Sequence, residues 1–279
     1  MRKTIISGIM CIGMMVILTV LGLFDIPFKQ WIFTGVSVVL FSIFSILLML
    51  MNTRVKPKKL FKVYGISIGK FGIILLSLIV LVCGSFLLNF VVNAVCTALG
   101  HPIAADSLIS SELADNFFVG ILTVAIIPAV FEEIFFRGAV MSSIQDKGLF
   151  YAIFMSSLLF TITHGLDPYF LTTFFAGCIF SVIVLLTNSI FAAIIVHFAN
   201  NIISYMLSVY AERLAEVNLD IYMLYGVILI FLLSLYGVLA YAVRNYKKSL
   251  RKERNILNEG EILWQEQGGV REEKTRKRK

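Results

Sequence analysis

Residues 129–140 read AVFEEIFFRGAV, so two adjacent carboxylates, Glu132 and Glu133, and a guanidinium, Arg137, stand inside otherwise apolar sequence. If the stretch is helical, Glu133 and Arg137 share a face at i,i+4 and can pair, whereas Glu132 is turned about 100° away and can face another helix or a water-filled cleft. Further along, LLFTITHGLDP sets Phe160 and His164 four residues apart, an aromatic ring beneath an imidazole. IIVHFANNIISY spaces His197 and Asn201 in the same way. Ionisable groups in hydrocarbon are costly and face a bundle interior or an aqueous cavity. Polar residues on three separate segments are satisfied together if they converge.

Such a cluster has the ingredients for attack of water on a carbonyl. A carboxylate in a partly dry cleft accepts a proton, and an imidazole orients the same water or shares that proton. An Asn amide and a second imidazole donate to the oxygen that turns negative. The candidate catalytic set is therefore Glu132, His164, His197 and Asn201, with Glu133, Arg137 and Phe160 as support. Ser142 and Ser143 lie in no nucleophile elbow, and no serine triad is apparent. Glu132, His164 and His197 could alternatively supply three zinc ligands and an open position for water, although no HExxH helix is present. The metal-free reading is preferred: no cofactor is expected, and zinc is the alternative. His101, beside Pro102 in a predicted outer loop, has no comparable helical partner.

The elements that must position these residues are membrane helices. The chain is 59% hydrophobic and 15% charged, with a mean hydropathy of +0.91, and its apolar runs exceed those of ordinary buried helices. The expected fold is all-α, a polytopic transmembrane helical bundle of about eight segments: 4–24, 31–51, 71–93, 116–136, 149–163, 170–186, 190–209 and 221–243. The fifth is shorter than the roughly 17–25 residues of a full span. The first resembles a signal peptide but lacks a small-x-small cleavage site, so it is retained as a helix. The organisation expected is N-terminal segments over 1–115, a catalytic-like core over 116–209, an outer loop and last segment over 210–243, and a basic tail over 244–279.

Charge supplies the orientation. Arg2, Lys3, Arg54, Lys56, Lys58, Lys59, Lys62 and Lys147 fall on one side of this topology and Asp106, Glu112 and Asp115 on the other, so both termini are expected in the cytoplasm. Lys70 is expected to reach toward the headgroups there. The tail carries twelve Lys/Arg against six Glu, +6 of the chain's formal +7. That excess suits membrane lipid and topology setting, and no nucleic-acid-binding module accompanies it. Cys11, Cys83, Cys96 and Cys178 are scattered singly and read as helix packing. Substrate is expected to approach laterally or through a cytoplasmic cleft. A non-proteolytic scaffold or self-immunity factor is a second reading, and a transporter or channel a third. The oligomeric state is open.

Three motifs carry a resemblance. EEIFFR (Glu132–Arg137) looks like EExxxR, FTITH (Phe160–His164) like FxxxH, and HFANN (His197–Asn201) like HxxxN. In this order, each on its own membrane segment, they resemble the CPBP intramembrane proteases, also called the CAAX protease and bacteriocin-processing or Abi family. The resemblance covers about 116–209. It implies an all-helical endopeptidase in which Glu132 and His164 activate water, His197 and Asn201 stabilise the oxyanion, and Glu133 and Arg137 support the catalytic helix. It implies a membrane-associated peptide or protein as substrate, and the short loops suggest a bacterial plasma membrane.

Overall fold

The computed structural model describes residues 2–22, 29–51, 61–101, 103, 116–165, 167–210 and 221–276. Its elements are helical throughout: α1 (Arg2–Gly22), α2 (Lys29–Leu50), α3 (Phe71–Ala98), α4 (Phe117–Lys147), α5 (Leu149–His164), α6 (Phe170–Thr187), α7 (Ile190–Val209) and α8 (Ile221–Arg276). Among the described residues, seven helices are long and apolar enough to cross a membrane, and α5, with 16 residues, is the shorter apolar helix among them. The expected eight segments thus become seven long helices and one short one in an all-α polytopic bundle. The chain divides into two compact units, Met1–Leu235 and Tyr236–Lys279. In the second, the end of α8 carries a groove that runs from Tyr236, Leu239 and Val243 to Arg244, Lys247 and Arg251.

Within the first unit, contacts fix which helix ends lie together. Lys147 Nζ and the Tyr151 hydroxyl both reach Thr4 Oγ1, joining the start of α1 to the junction of α4 and α5. Lys70 Nζ donates to the Thr187 carbonyl at 2.5 Å, so the ammonium caps the C-terminal end of α6, where the helix dipole favours a cation. Lys70, expected from sequence at this end of α3, thus has a protein carbonyl as its partner. Ser189 Oγ donates to the Tyr64 carbonyl, and Ile190 N–H donates to the Lys62 carbonyl at 3.1 Å. Residues 61–70 thus lie across the turn between α6 and α7. At the opposite end, Tyr205 of α7 packs on Phe117 of α4, and Thr172 of α6 donates to Asn89 of α3 at 2.5 Å.

Helices in a bilayer gain little from apolar burial against lipid, so close approach through small residues does much of the holding. α5 and α6 meet at Gly177, where an added Cβ would stand 2.9 Å from Ser157 Cβ and 3.0 Å from its Cα. Gly84 similarly admits the Phe175 ring to the backbone of α3, with an added Cβ 2.6 Å from the ring. Gly177→Val is expected to force α5 and α6 apart and cost about 1–3 kcal/mol, read as a lower thermal midpoint of the solubilised protein. Gly13→Val, where nothing lies within 4 Å, should leave that midpoint nearly unchanged.

Candidate active site

The site is built on α4, which is not a uniform α-helix. It runs as π-helix over Ile121–Ile126, α-helix over Ile127–Glu133 and π-helix again over Ile134–Met141. Such insertions recur at functional sites because they re-aim side chains without ending the helix. Pro128 lies in the first turn of the middle stretch. Having no N–H, it cannot serve the Val124 carbonyl four residues earlier. Asn201 of α7 supplies the missing donor, its Nδ2 reaching Val124 O at 3.1 Å. Because that partner only accepts, the amide orientation of Asn201 is determined, and its Oδ1 faces Asn200 Nδ2 at 3.5 Å.

Glu132 and Glu133 go separate ways, as the helix geometry predicts. Glu133 is fully buried and its Oε1 accepts twice, from Arg137 Nη1 at 2.8 Å and from His197 Nδ1 at 2.9 Å. Arg137 Nη2 donates to the Gly177 carbonyl at 2.9 Å. The guanidinium sits over the Phe160 and Phe180 rings at 4.7 and 5.1 Å. Burying an ion pair carries a large desolvation cost. Here the shared carboxylate, the carbonyl and the two ring faces offset it.

Glu132 instead lies at the floor of a cavity of about 440 Å³. Its Oε2 stands 3.7 Å from His164 Nε2 and 3.9 Å from His197 Nε2. The other ring nitrogen of each histidine is held: His164 Nδ1 donates to the Phe160 carbonyl at 2.9 Å, and His197 Nδ1 donates to Glu133. Both Nε2 atoms are thereby aimed at the same carboxylate oxygen. Phe160 backs His164 with ring centroids 4.4 Å apart, and Phe180 stacks on His197 at 4.5 Å and 18°. His197 is 3% exposed whereas His164 is 39% exposed, so the two imidazoles meet different amounts of solvent.

All seven residues singled out from sequence are thus gathered: Glu132, His164, His197, Asn201 and Phe160 line the cavity, with Glu133 and Arg137 behind it. His101 lies apart, its N–H bonded to the Cys96 carbonyl at 2.9 Å. Sequence reasoning missed Pro128, whose signal was an imino acid inside a helical run four residues before Glu132. It also missed Phe180 and Gly177, which carry no local signal. Among the described residues no group of three His, Cys, Asp or Glu side chains could hold a metal ion.

Arg137→Met should be strongly destabilising, by about 3–5 kcal/mol, because it strands a buried carboxylate. Removing the acceptor charge as well, in Arg137→Met with Glu133→Gln, should recover part of that loss. A double-mutant cycle on thermal unfolding measures the coupling.

The family model described as "Type II CAAX prenyl endopeptidase Rce1-like" matches residues 114–203, a stretch that includes every residue of the cluster from Glu132 to Asn201. No curated protein and no solved structure matches the chain. With its three motif helices converging on one buried His and Glu cluster, the protein carries an Rce1-like domain of the CAAX protease, or CPBP, family over this part of its length.

Proposed function

We propose that the protein is an intramembrane endopeptidase that hydrolyses a peptide bond in a membrane-associated peptide or protein without a covalent intermediate. The observation that carries this reading is the approach of two imidazole Nε2 atoms, at 3.7 and 3.9 Å, to one carboxylate oxygen at the floor of a polar cavity. In its neutral form His164 donates through Nδ1, so its Nε2 offers a lone pair beside Glu132 Oε2. A water between them donates one hydrogen to each acceptor, about 2.8 Å from both. Its oxygen attacks the substrate carbonyl as an O–H proton passes to Glu132. The C–N bond of the tetrahedral intermediate then breaks, and Glu132 returns that proton to the leaving nitrogen.

The second imidazole has a different task because its Nδ1–H is tied to the Glu133 carboxylate. With Nδ1–H held by Glu133, a proton on His197 Nε2 would point into the cavity toward the developing oxyanion. Asn201 uses one amide hydrogen on Val124 and has a second for the oxyanion. The Asn201 donor is preset by its bond to Val124, so it needs no reorganisation when charge develops.

Glu132→Gln keeps the side-chain shape and removes the base. Peptides released from membranes containing the intact protein but absent with Glu132→Gln would identify the substrate, and turnover should fall by about 10²–10⁴. His164→Ala should lose a comparable amount. Asn201→Ala should lower kcat by about 10²–10³ with little change in KM. Cleavage that survives Glu132→Gln overturns the mechanism.

A further inference from the structure

The contacts between helix ends give the bundle a chemically marked polarity. Lys62, Lys70 and Lys147 lie at one end, tied to Ile190, Thr187 and Thr4. α1 begins at that end with Arg2 and Lys3, and α2 finishes there, since Thr34 lies beside Thr123 and Ile127 while Phe41 packs on Phe135. The sequence between α2 and Phe61 adds Arg54, Lys56, Lys58 and Lys59. At the other end, Lys29 opens α2, and the sequence joining α3 to α4 holds Asp106, Glu112 and Asp115 with no Lys or Arg. Short loops rich in Lys and Arg stay in the cytoplasm, so the end marked by Lys147 is the cytoplasmic one.

The cavity leads away from that end. Beyond Glu132, the wall consists of Ser85, Asn89, Thr172, Thr173, Asn200 and Ser204. Thr172 and Thr173 stand in the first turn of α6, and Ser204 lies about 8 Å from the end of α7 but about 21 Å from its start. On the cytoplasmic side the path is filled. Phe135, Phe136, Ala139, Val140, Met141 and Ile144 are each 0% exposed. The Phe61 ring lies against Gly138, and residues 62–70 bond across the α6–α7 turn.

Resting on the proteolytic reading, we propose that the site takes its substrate from the non-cytoplasmic side, as an uncharged, extended peptide stretch presented in the outer half of the bilayer. The wall carries hydroxyls and amides that both donate and accept, which suits the main chain of an extended peptide. Among the described residues, Glu132 and the two histidines are the ionisable ones that line the cavity. Among the described lining residues a terminal carboxylate meets no Lys or Arg, so an internal bond suits this wall better than one at a free C-terminus. The sequence alone left a lateral path and a cytoplasmic cleft open; the proposed path is on the opposite face.

The test is labelling with a membrane-impermeant maleimide in right-side-out and inside-out vesicles. Ser204→Cys probes the cavity wall and Asp146→Cys the cytoplasmic end, with the parent chain, which retains Cys11, Cys83, Cys96 and Cys178, as the background for each side. Ser204→Cys should label at least tenfold faster in right-side-out vesicles, and Asp146→Cys at least tenfold faster in inside-out ones. Labelling of Ser204→Cys from the cytoplasmic side, or of both positions from the same side, overturns the proposal. Access is read without catalysis, so outside labelling combined with cleavage that persists in Glu132→Gln would refute the proteolytic mechanism and leave the side of approach intact. Where cleavage is lost in Glu132→Gln, the cut sites of the intact protein should fall in uncharged stretches at the non-cytoplasmic ends of their substrates. Sites at cytoplasmic ends would refute the assignment.

Discussion

One carboxylate oxygen joins the catalytic-like helix to its neighbours. Glu133 Oε1 accepts from Arg137 on its own helix and from His197 on α7, while the same arginine reaches the Gly177 carbonyl on α6. Each member of this chain is almost wholly buried. In a low-dielectric interior an unpaired charge is prohibitive, so the three helices cannot separate without exposing one. The constraint that holds them also sets the tautomer of His197 and the direction of its free nitrogen. Support and chemistry are therefore linked through a single atom.

The irregularity of α4 follows a similar logic. A regular helix through Pro128 would leave the Val124 carbonyl without a donor, and α7 supplies one from Asn201. The amide of Asn201 is thus oriented by a defect in the neighbouring helix. Two π-helical stretches flank Ile127–Glu133, the α-helical stretch that carries both adjacent carboxylates.

Much of the fold was legible because membrane helices announce themselves by length and apolarity, and because i,i+4 spacing fixes a shared face. The separate orientations of Glu132 and Glu133, the Glu133–Arg137 pair and the ring beneath His164 all follow from that spacing. Depth did not. Counting rise per residue from the helix ends puts His197 about 11 Å from Ile190 but Glu132 about 22 Å from Lys147, which would keep them apart if those ends were level. They meet because the helix ends are not level: residues 61–70 lie across the α6–α7 turn and bond to it. A long-range pairing of that kind leaves no periodic trace in sequence. The ring of Phe180 on His197 and the close approach at Gly177 were invisible for the same reason.

The shortness of α5 has a consequence for the lipid. Its 16 residues reach about 24 Å, against about 30 Å of hydrocarbon. His164 closes that helix, so its imidazole stops several ångströms below the level at which a full-length helix would end. Lipid meets such a mismatch by thinning locally. Thinning of that kind brings headgroups and their water closer to His164, the more exposed of the two imidazoles that face Glu132.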